Sequence, residues 1–441
     1  MATGHILPNE NLGLLMAYDP YFQVWGHTGG LSGLKTMVFY QKEEKWGISL
    51  LTNGDGYLWD IAYILEQYAR EFSALSLSMF TIDDDNNNEI IEPNEEVGLL
   101  MGFRNSYQRG LENGKVILRC ADESVIVIDS VFTISTLNPD EIAVNENNPF
   151  KILASDFSGF HQIILHLDYY EDDVWIGKEQ YPIYLGATPI LLIDDEEHPQ
   201  RNISMSMEYY KEALVTLDTA FYFRNMTLSP INRNFINQFQ KVIWFTGISN
   251  QHSNILPDGE QAILAQYLKQ GGQLFLSSQN AGDYCGNTGF FTDYLKVKHI
   301  QDTWSGLANV TGEVNDTIGN NLQFYIAGGT GNNSSYSPSI VEAVGEGIPV
   351  FKYTNTTNVC GVRYAEGYKS LFIPFGPEAI NNADDRKELL NRTLIWFDDI
   401  YTGLPENQIY PGFPNKLNIF PNPANGHIFL KISEILLFPD T

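Results

Sequence analysis

The chain has 441 residues, of which 54 are acidic and 26 basic, so its formal net charge is −28. This charge argues against nucleic acid and anionic membranes as partners. The length indicates about three domains, and no apolar run is long enough to predict a transmembrane segment. We therefore expect a multi-domain chain with α+β, β and α/β parts, which divides into four segments.

Residues 1–76 predict a β-hairpin followed by a helix. Apolar runs at residues 36–40 and 46–51 flank a charged turn, which is typical of two antiparallel strands. Residues 58–72 then place Ile61, Ile64, Leu65 and Tyr68 at helical spacing. This segment is expected to form a partial sheet with one closing helix.

Residues 77–186 predict an all-β domain. Short apolar runs at 115–118, 125–128 and 163–167 are separated by clusters of Asn and Asp, and no helix of useful length appears. An antiparallel β-sandwich of the immunoglobulin type is the expected architecture.

An acidic run precedes this domain. Asp83, Asp85 and Asn87 place oxygen atoms at alternate positions, as Ca²⁺ ligands often are. The run does not read as an EF-hand, because the glycine of loop position six and the glutamate of position twelve are absent. It resembles the opening of sandwich domains in secreted proteases and surface proteins, with Asn94 in place of a glycine. Ca²⁺ is the cofactor that this run indicates, and a solvated turn that binds no ion is the alternative interpretation.

Residues 187–401 alternate strand and helix patterns, which predicts a doubly wound, mostly parallel sheet. Strands are expected at 189–193, 241–246, 273–277 and 370–374, and helices at 207–217, 258–271 and 384–397. Asp194, Asp195 and Glu196 follow the first strand, at the edge where such folds bind ligands. They are the candidate ligands for a cation or a sugar, and a solvated strand end is the alternative.

Residues 24–30, which end in His27-Thr28-Gly29-Gly30, stand directly before the predicted hairpin. This arrangement resembles the C-terminal part of the serine β-lactamase and penicillin-binding-protein family, in which such a motif is the third active-site box. The resemblance implies that His27, Thr28 and Gly29 line a catalytic site. The family also needs a Ser-x-x-Lys nucleophile far upstream, and Ser32–Lys35 matches it only in a glycine-flanked turn. The expectation is an incomplete active site in a fragment.

The α/β segment is similar to glutamine-amidotransferase-like or flavodoxin-like domains of secreted Bacteroidetes-type proteins, through residues 242–247 and 271–277. The catalytic amidotransferases carry a cysteine in a Gly-x-Cys-x-Gly elbow, whereas Cys285 lies in a different context. A response-regulator receiver is not favoured, because Thr246-Gly247 stands where a phosphoacceptor Asp is required. The sequence leaves open whether Cys285 and Cys360 form a disulfide.

Residues 402–441 read as a Pro- and Asn-rich linker with a short β tail. Leu417–Pro423 and Ile428–Leu430 resemble the start of the type IX secretion sorting domain of Bacteroidetes. That resemblance implies the type IX secretion machinery as a partner. Met1 opens no signal peptide, so an exported protein requires sequence upstream of it.

These patterns predict part of a secreted or outer-membrane surface protein from the β-lactamase-like hydrolase family. The chain is expected to be inactive by itself, with accessory domains that bind an unknown extracellular ligand. The alternative is an active serine hydrolase when the missing N-terminal half is present.

Overall fold

A computed structural model describes most of the chain. The described residues are 12–13, 16–19, 24–41, 46–54, 58–70, 75–107, 109–196, 206–247, 255–279, 281–302, 308–332, 338–399, 418–421 and 428–431. Strands make up 45% of the structure and helices 19%, distributed over several sheets, so the prediction of a multi-domain β-rich protein is confirmed at that level. Residues 1–398 form one compact unit and residues 399–441 another.

The first sheet is an antiparallel meander. Its strands are β1 Leu12–Gly13, β2 Met16–Asp19, β3 Val24–Leu31, β4 Leu34–Gln41 and β5 Trp46–Thr52, paired in chain order. Helix α1 (Trp59–Arg70) follows and buries Leu58 and Ala62 with Phe39 in a small core. Ile61 and Ile64 are exposed, so the apolar spacing predicted the helix but not the face that it buries.

Two antiparallel sheets follow and enclose one core. Their strands are β6 Leu75–Asp83, β7 Glu96–Asn105, β8 Leu111–Cys120, β9 Val125–Asp129, β10 Val131–Leu137, β11 Ile142–Val144, β12 Phe150–Ala154, β13 His161–Glu171 and β14 Val174–Leu185. One sheet has the order β10-β8-β13-β14, and the other has the order β11-β7-β12-β9 with β6 against β7. Alternate residues point inwards, so Leu99 and Phe103 on β7 meet Leu165 and Tyr169 on β13 in the core.

The third region is built around a large mixed sheet. Its strands are β15 Ile190–Asp194, β16 Tyr222–Asn225, β17 Lys241–Phe245, β18 Gln273–Ser277, β19 Val297–Asp302, β20 Asn309–Gly312, β21 Gln323–Tyr325, β22 Ser339–Ala343, β23 Ile348–Tyr353, β24 Val359–Tyr364 and β25 Lys369–Ile373. The helices are α2 Met207–Thr216, α3 Arg233–Ile236, α4 Asp258–Lys269, α5 Ala281–Cys285 and α6 Ala383–Asp398. A π-helical turn, Phe290–Leu295, and a 3-10 turn, Pro377–Ala379, complete the region.

Five neighbouring strands of this sheet are parallel, in the order β16-β15-β17-β18-β25. Every residue of β15, β17, β18 and β25 is buried, because helices cover both faces. Leu192 and Phe275 pack in the core with α2 and α6, whereas Leu191 and Leu274 pack in the core with α4. This half matches the predicted strand–helix alternation.

The other half of the sheet is antiparallel. Strands β24, β23, β20 and β21 extend it beyond β25, and β22 joins β24 and pairs with β19. The prediction of a mostly parallel sheet is therefore right for one half and too simple for the whole. Short strands with partly exposed faces gave no clear periodic signal in that stretch.

In the second unit, β26 (Asn418–Pro421) and β27 (Ile428–Lys431) form an antiparallel pair. Among all the described residues, no helix is both long and apolar enough to span a membrane.

Candidate functional site

The strongest cluster of polar side chains lies where the parallel strands end. Parallel strands bring their carboxyl ends to one edge of a sheet, and that edge is where doubly wound folds bind ligands. Ser277 closes β18, Glu196 follows β15, and Glu378 follows β25. Tyr210 joins them from α2, and all four side chains are buried.

Tyr210 connects the two neighbouring strand ends. Its hydroxyl lies 2.6 Å from Ser277 Oγ and donates to Glu378 Oε2 at 3.1 Å. The ring stacks on Phe245 of β17, with centroids 4.2 Å apart, so the hydroxyl is held in one position. Burial, and then the charge of Glu378, raise the pKa of Tyr210 well above its ordinary value. Tyr210 therefore acts as a neutral hydrogen-bonding group.

Glu378 is the unusual member of this cluster. It is 0% exposed, and its Oε1 has no hydrogen-bond partner within the described residues. Burial, and then the nearby charge of Glu196, raise the pKa of Glu378 to about 7. A carboxyl with this pKa is substantially protonated at neutral pH and can donate a proton or a hydrogen bond.

Two glycines make room for the carboxyl groups. A Cβ atom at Gly376 would collide with the carboxylate of Glu378, and one at Gly247 would collide with that of Glu196. Gly247 also has a φ of 50°, which favours glycine over other residues. The Glu196 carboxylate accepts the Ser206 backbone N–H at 2.9 Å, just before α2. The local backbone is therefore shaped to hold these two acids.

Hydroxyl groups continue the cluster along the sheet edge. Thr246 Oγ1 donates to Ser278 Oγ at 2.6 Å, and both residues are buried. Gln279 Nε2 donates to the Gly247 carbonyl at 3.0 Å. Residues 197–205 and 248–254, which follow β15 and β17 in the chain, lie outside the described residues.

The three acids predicted at the end of β15 point in different directions. Asp194 accepts hydrogen bonds from the Glu196 backbone at 3.1 Å and from Asn225 at 3.3 Å, whereas Asp195 accepts from the Trp244 indole at 3.0 Å. Glu196 faces α2 and Gly247. Of the three, Glu196 is the one that the structure brings into the cluster with Glu378.

His27, Thr28 and Gly29 lie on β3, in the middle of the first sheet. They are opposite Val38, Met37 and Thr36 of β4, and the side chains of His27 and Thr28 are exposed. Gly26 is required by packing, because a Cβ atom there would collide with the ring of Phe39. Gly26 therefore has a structural reason in cross-strand packing.

Asp83, Asp85 and Asn87 are all exposed. Asp83 ends β6, and the other two lie on the turn after it. The buried carboxylate of this stretch belongs to Asp84, between the predicted ligands. Asn94, which replaces the glycine of similar sequences, has a φ of 62°, so this position does adopt a conformation that glycine favours.

The cysteines are free thiols, and two of them are buried. Burial raises the pKa of Cys285 to about 12 and that of Cys360 well above its ordinary value. Cys285 donates to the Ala281 carbonyl at 3.1 Å within α5. A protonated thiol in this setting is a poor nucleophile.

A thiol-labelling experiment checks this arrangement. We expect the folded chain to release no more than the single equivalent of thionitrobenzoate that Cys120 can supply, and the denatured chain to release one for each of its three cysteines. The variant Cys120→Ser should lower both totals by one. Rapid reaction of Cys285 or Cys360 in the folded protein would contradict the burial that we describe.

Tyr210, Ser277 and Glu378 were not among the residues singled out from the sequence. Ser277 ends the strand that was predicted at 273–277, and Glu378 follows the strand that was predicted at 370–374. Ligands bind at the carboxyl ends of parallel strands in doubly wound folds, and this applies to these two strand ends as it does to Asp194. Tyr210 lies on a predicted helix, where nothing in the sequence separates it from an ordinary core residue.

Comparisons with known proteins give weak matches. No protein-family model and no curated protein matches the chain. Among solved structures, a putative ThuA-like protein from Bacteroides uniformis is similar over 47% of this chain and 91% of its own, at 11% identity and a TM-score of 0.33. A putative ThuA-like protein from Parabacteroides merdae covers 51% and 94%, at 10% identity and a TM-score of 0.32. A PapD-like domain of human CEP192 covers 26% and 82%, at 10% identity and a TM-score of 0.16.

These matches correct the identification made from the sequence. The neighbours are ThuA-like proteins with a glutamine-amidotransferase-like fold and other unrelated domains, and they include no β-lactamase and no type IX sorting domain. The identification as a β-lactamase-like hydrolase fragment with a sorting tail is therefore wrong. A four-residue strand motif and a Pro-Asn-Pro turn are too short to define a family, because meanders and hairpins produce both. The catalytic role of His27 and Thr28 depended on that identification.

Proposed function

We propose that this chain is a binding region of an exported protein, and that its α/β region binds a neutral, hydroxyl-rich ligand such as a sugar. The observation that carries the proposal is the Oε1 atom of Glu378, which has no hydrogen-bond partner among the described residues and lies at the carboxyl edge of the parallel strands. A buried carboxyl oxygen without a partner is costly, and a ligand hydroxyl would satisfy it. The acidic composition of the chain supports a location outside the cell.

The chemistry of the cluster favours a neutral ligand over a charged one. A protonated Glu378 donates, the Glu196 carboxylate accepts, and the hydroxyls of Tyr210 and Ser277 do either. Sugar hydroxyls need such mixed partners. A phosphate or carboxylate ligand would instead be repelled by the Glu196 carboxylate, and by Glu378 wherever that group is ionised.

The test is a binding screen on the full chain. Glucose, galactose, N-acetylglucosamine and their disaccharides are titrated by calorimetry, together with the acidic sugar glucuronate. We expect at least one neutral sugar to bind, and Tyr210→Phe to weaken its binding by about fivefold, since one hydrogen bond contributes about 1 kcal/mol. The control Tyr325→Phe removes an exposed hydroxyl and should leave affinity unchanged. Binding to none of the neutral sugars would overturn the proposal.

A second candidate is acid–base hydrolysis of such a ligand. It is favoured by one observation: the pKa of Glu378 is raised to about 7 beside a second carboxyl group, an arrangement suited to a proton donor. Nitrophenyl glycosides distinguish the two functions. Release of nitrophenol that disappears in Glu378→Gln supports hydrolysis, whereas sugar binding without release supports binding alone.

A further inference from the structure

The connection between β6 and β7 is a loop of twelve residues, 84–95. Counted from Asp84, the first, third and fifth positions are Asp84, Asn86 and Asn88, the ninth is Glu92, and the twelfth is Glu95. The Ca²⁺ loop of an EF-hand supplies oxygen ligands from these same positions, with a bidentate glutamate at the twelfth. A loop that begins at Asp83 has Asn94 at its twelfth position, whereas a loop that begins at Asp84 has the required glutamate, Glu95, there.

The sixth position has the required backbone without the required residue. EF-hand loops carry glycine there because the chain turns sharply. Here the sixth residue is Glu89, with a φ of 56°. The side chain of Glu89 leaves the loop and accepts a hydrogen bond from Arg224 at 2.8 Å. Glu89 therefore adopts the turn conformation that glycine supplies in EF-hand loops.

Asp84 is the second, independent indication of a ligand. Its side chain is 6% exposed, and neither carboxylate oxygen has a hydrogen-bond partner within the described residues. The Asn87 backbone N–H donates to the Asp84 carbonyl at 3.3 Å, so the chain turns back at Asp84 and the buried side chain lies at the start of this turn. A buried carboxylate that lacks partners is expensive unless a cation pairs with it.

The other acids of the loop are close enough to repel one another. Glu92 and Glu95 lie three residues apart in this loop, and Asp84 and Asp85 begin it. Glu95 Oε2 accepts the Glu92 backbone N–H at 2.9 Å, and Asn86 donates to Glu92 at 3.1 Å. A divalent cation would relieve this repulsion.

The loop is not yet closed around an ion. Among the described residues, no three Asp, Glu, His or Cys side chains are arranged to hold a metal. Binding therefore requires Glu92 and Glu95 to change rotamer, and amide and carbonyl oxygens to complete the shell. Both side chains have the freedom to do so, since Glu92 is exposed and Glu95 half-buried.

The loop also joins two parts of the first unit. Ile91 is buried in the core between the two antiparallel sheets and bridges to Leu185, while the preceding Ile90 packs in the α/β core with α4. Arg224 of β16 holds Glu89 in an ion pair in which both side chains are buried. An ion in this loop would therefore stabilise the connection between the sandwich and the α/β region.

We propose that residues 84–95 form an EF-hand-like loop that binds one Ca²⁺ through the side chains of Asp84, Asn86, Asn88, Glu92 and Glu95 and the carbonyl of Ile90. The mixture of carboxylate, amide and carbonyl oxygens suits the six to eight ligands of Ca²⁺. Mg²⁺ is disfavoured, because it demands near-octahedral geometry and retains its waters.

Calorimetric titration of the EGTA-stripped full chain with CaCl2 and with MgCl2 tests the proposal. We expect one Ca²⁺ per chain, and binding to Mg²⁺ at least about tenfold weaker. Asp84→Asn and Glu95→Gln should each weaken Ca²⁺ binding by about tenfold or more. The matched control is Asp85→Asn, which removes the same charge from an exposed side chain at the second position. It should change the affinity by less than about threefold.

Thermal unfolding supplies a second readout. Ca²⁺ should raise the melting temperature of the wild-type chain, because it binds the folded state, and should have a much smaller effect on Glu95→Gln. Glu95 is half-buried, so this variant remains informative if Asp84→Asn fails to fold. Absence of Ca²⁺ binding at millimolar concentration, or an equal loss of affinity in Asp85→Asn and Glu95→Gln, would overturn the proposal.

Discussion

Glu378→Gln is expected to stabilise the protein at pH 8 by about 3 kcal/mol relative to the wild type, and to have little effect at pH 4. The pKa of Glu378 is about 7 in the folded chain, against 4.5 for the ordinary group. The folded state therefore binds its proton more tightly than the unfolded state. As the pH rises from about 4.5 to about 7, this group lowers the free energy of unfolding, and glutamine removes that dependence.

The measurement is the free energy of unfolding from urea titrations between pH 4 and pH 8, with EGTA present throughout. Titrating groups that do not contact Glu378 contribute equally to both proteins, so the difference between the two curves reports Glu378 together with its coupling to Glu196. Glu366→Gln, a neutralised acid on the exposed surface of the same region, should follow the wild-type curve. If Glu378→Gln also follows the wild-type curve, the carboxyl is not held protonated.

Arg224→Met is expected to reduce the free energy of unfolding by about 3–5 kcal/mol. The guanidinium of Arg224 and the carboxylate of Glu89 are 2.8 Å apart, with 4% and 8% of their side chains exposed. Arg224 also donates to Ser229 and lies over the Phe235 ring, 3.7 Å from its centroid. Removing the cation leaves Glu89 buried without a charged partner.

A double-mutant cycle with Glu89→Gln separates the ion pair from the packing of the arginine. We expect the double variant to be more stable than the sum of the single effects predicts, because it contains no unpaired charge. The comparison pair is Lys151 and Glu96, which are 3.2 Å apart but 49% and 51% exposed. Lys151→Met should cost less than about 1 kcal/mol. If Lys151→Met and Arg224→Met reduce the free energy of unfolding by similar amounts, the buried ion pair contributes no more to stability than the exposed one.

The sequence predicts the parallel strands best, because their side chains are apolar on both faces. Residues 273–277 were predicted as a strand, and β18 has those bounds. Strand β17 ends one residue before its predicted range, and β15 is shifted by one residue at both ends. Strands β19–β24 were not predicted individually. Strands β20 and β21 have only four and three residues, and the pairing of β20 with β23 joins segments that are distant in the chain.

The candidate site was only partly predictable, for a geometric reason. Glu196 could be selected because it directly follows a strand, but its neighbour Glu378 comes from a distant part of the chain through the pairing of β18 with β25. The loop at Asp84 shows a second limit. Residue spacing alone did not show whether the loop begins at Asp83 or at Asp84. The two residues differ in the burial of their carboxylates, because the fold buries Asp84 and leaves Asp83 exposed.

The position of β25 in the large sheet has a consequence for biosynthesis. β25 pairs with β18 on one side and with β24 on the other, so it is an interior strand that leaves the ribosome after every other strand of this sheet. Lys369 of β25 and Gln273 of β18 also bind carbonyl groups near the end of α6. A nascent chain that stops before residue 369 therefore exposes the edges of β18 and β24 to chaperones and to other chains. The sheet acquires its final strand order only when β25 has been made.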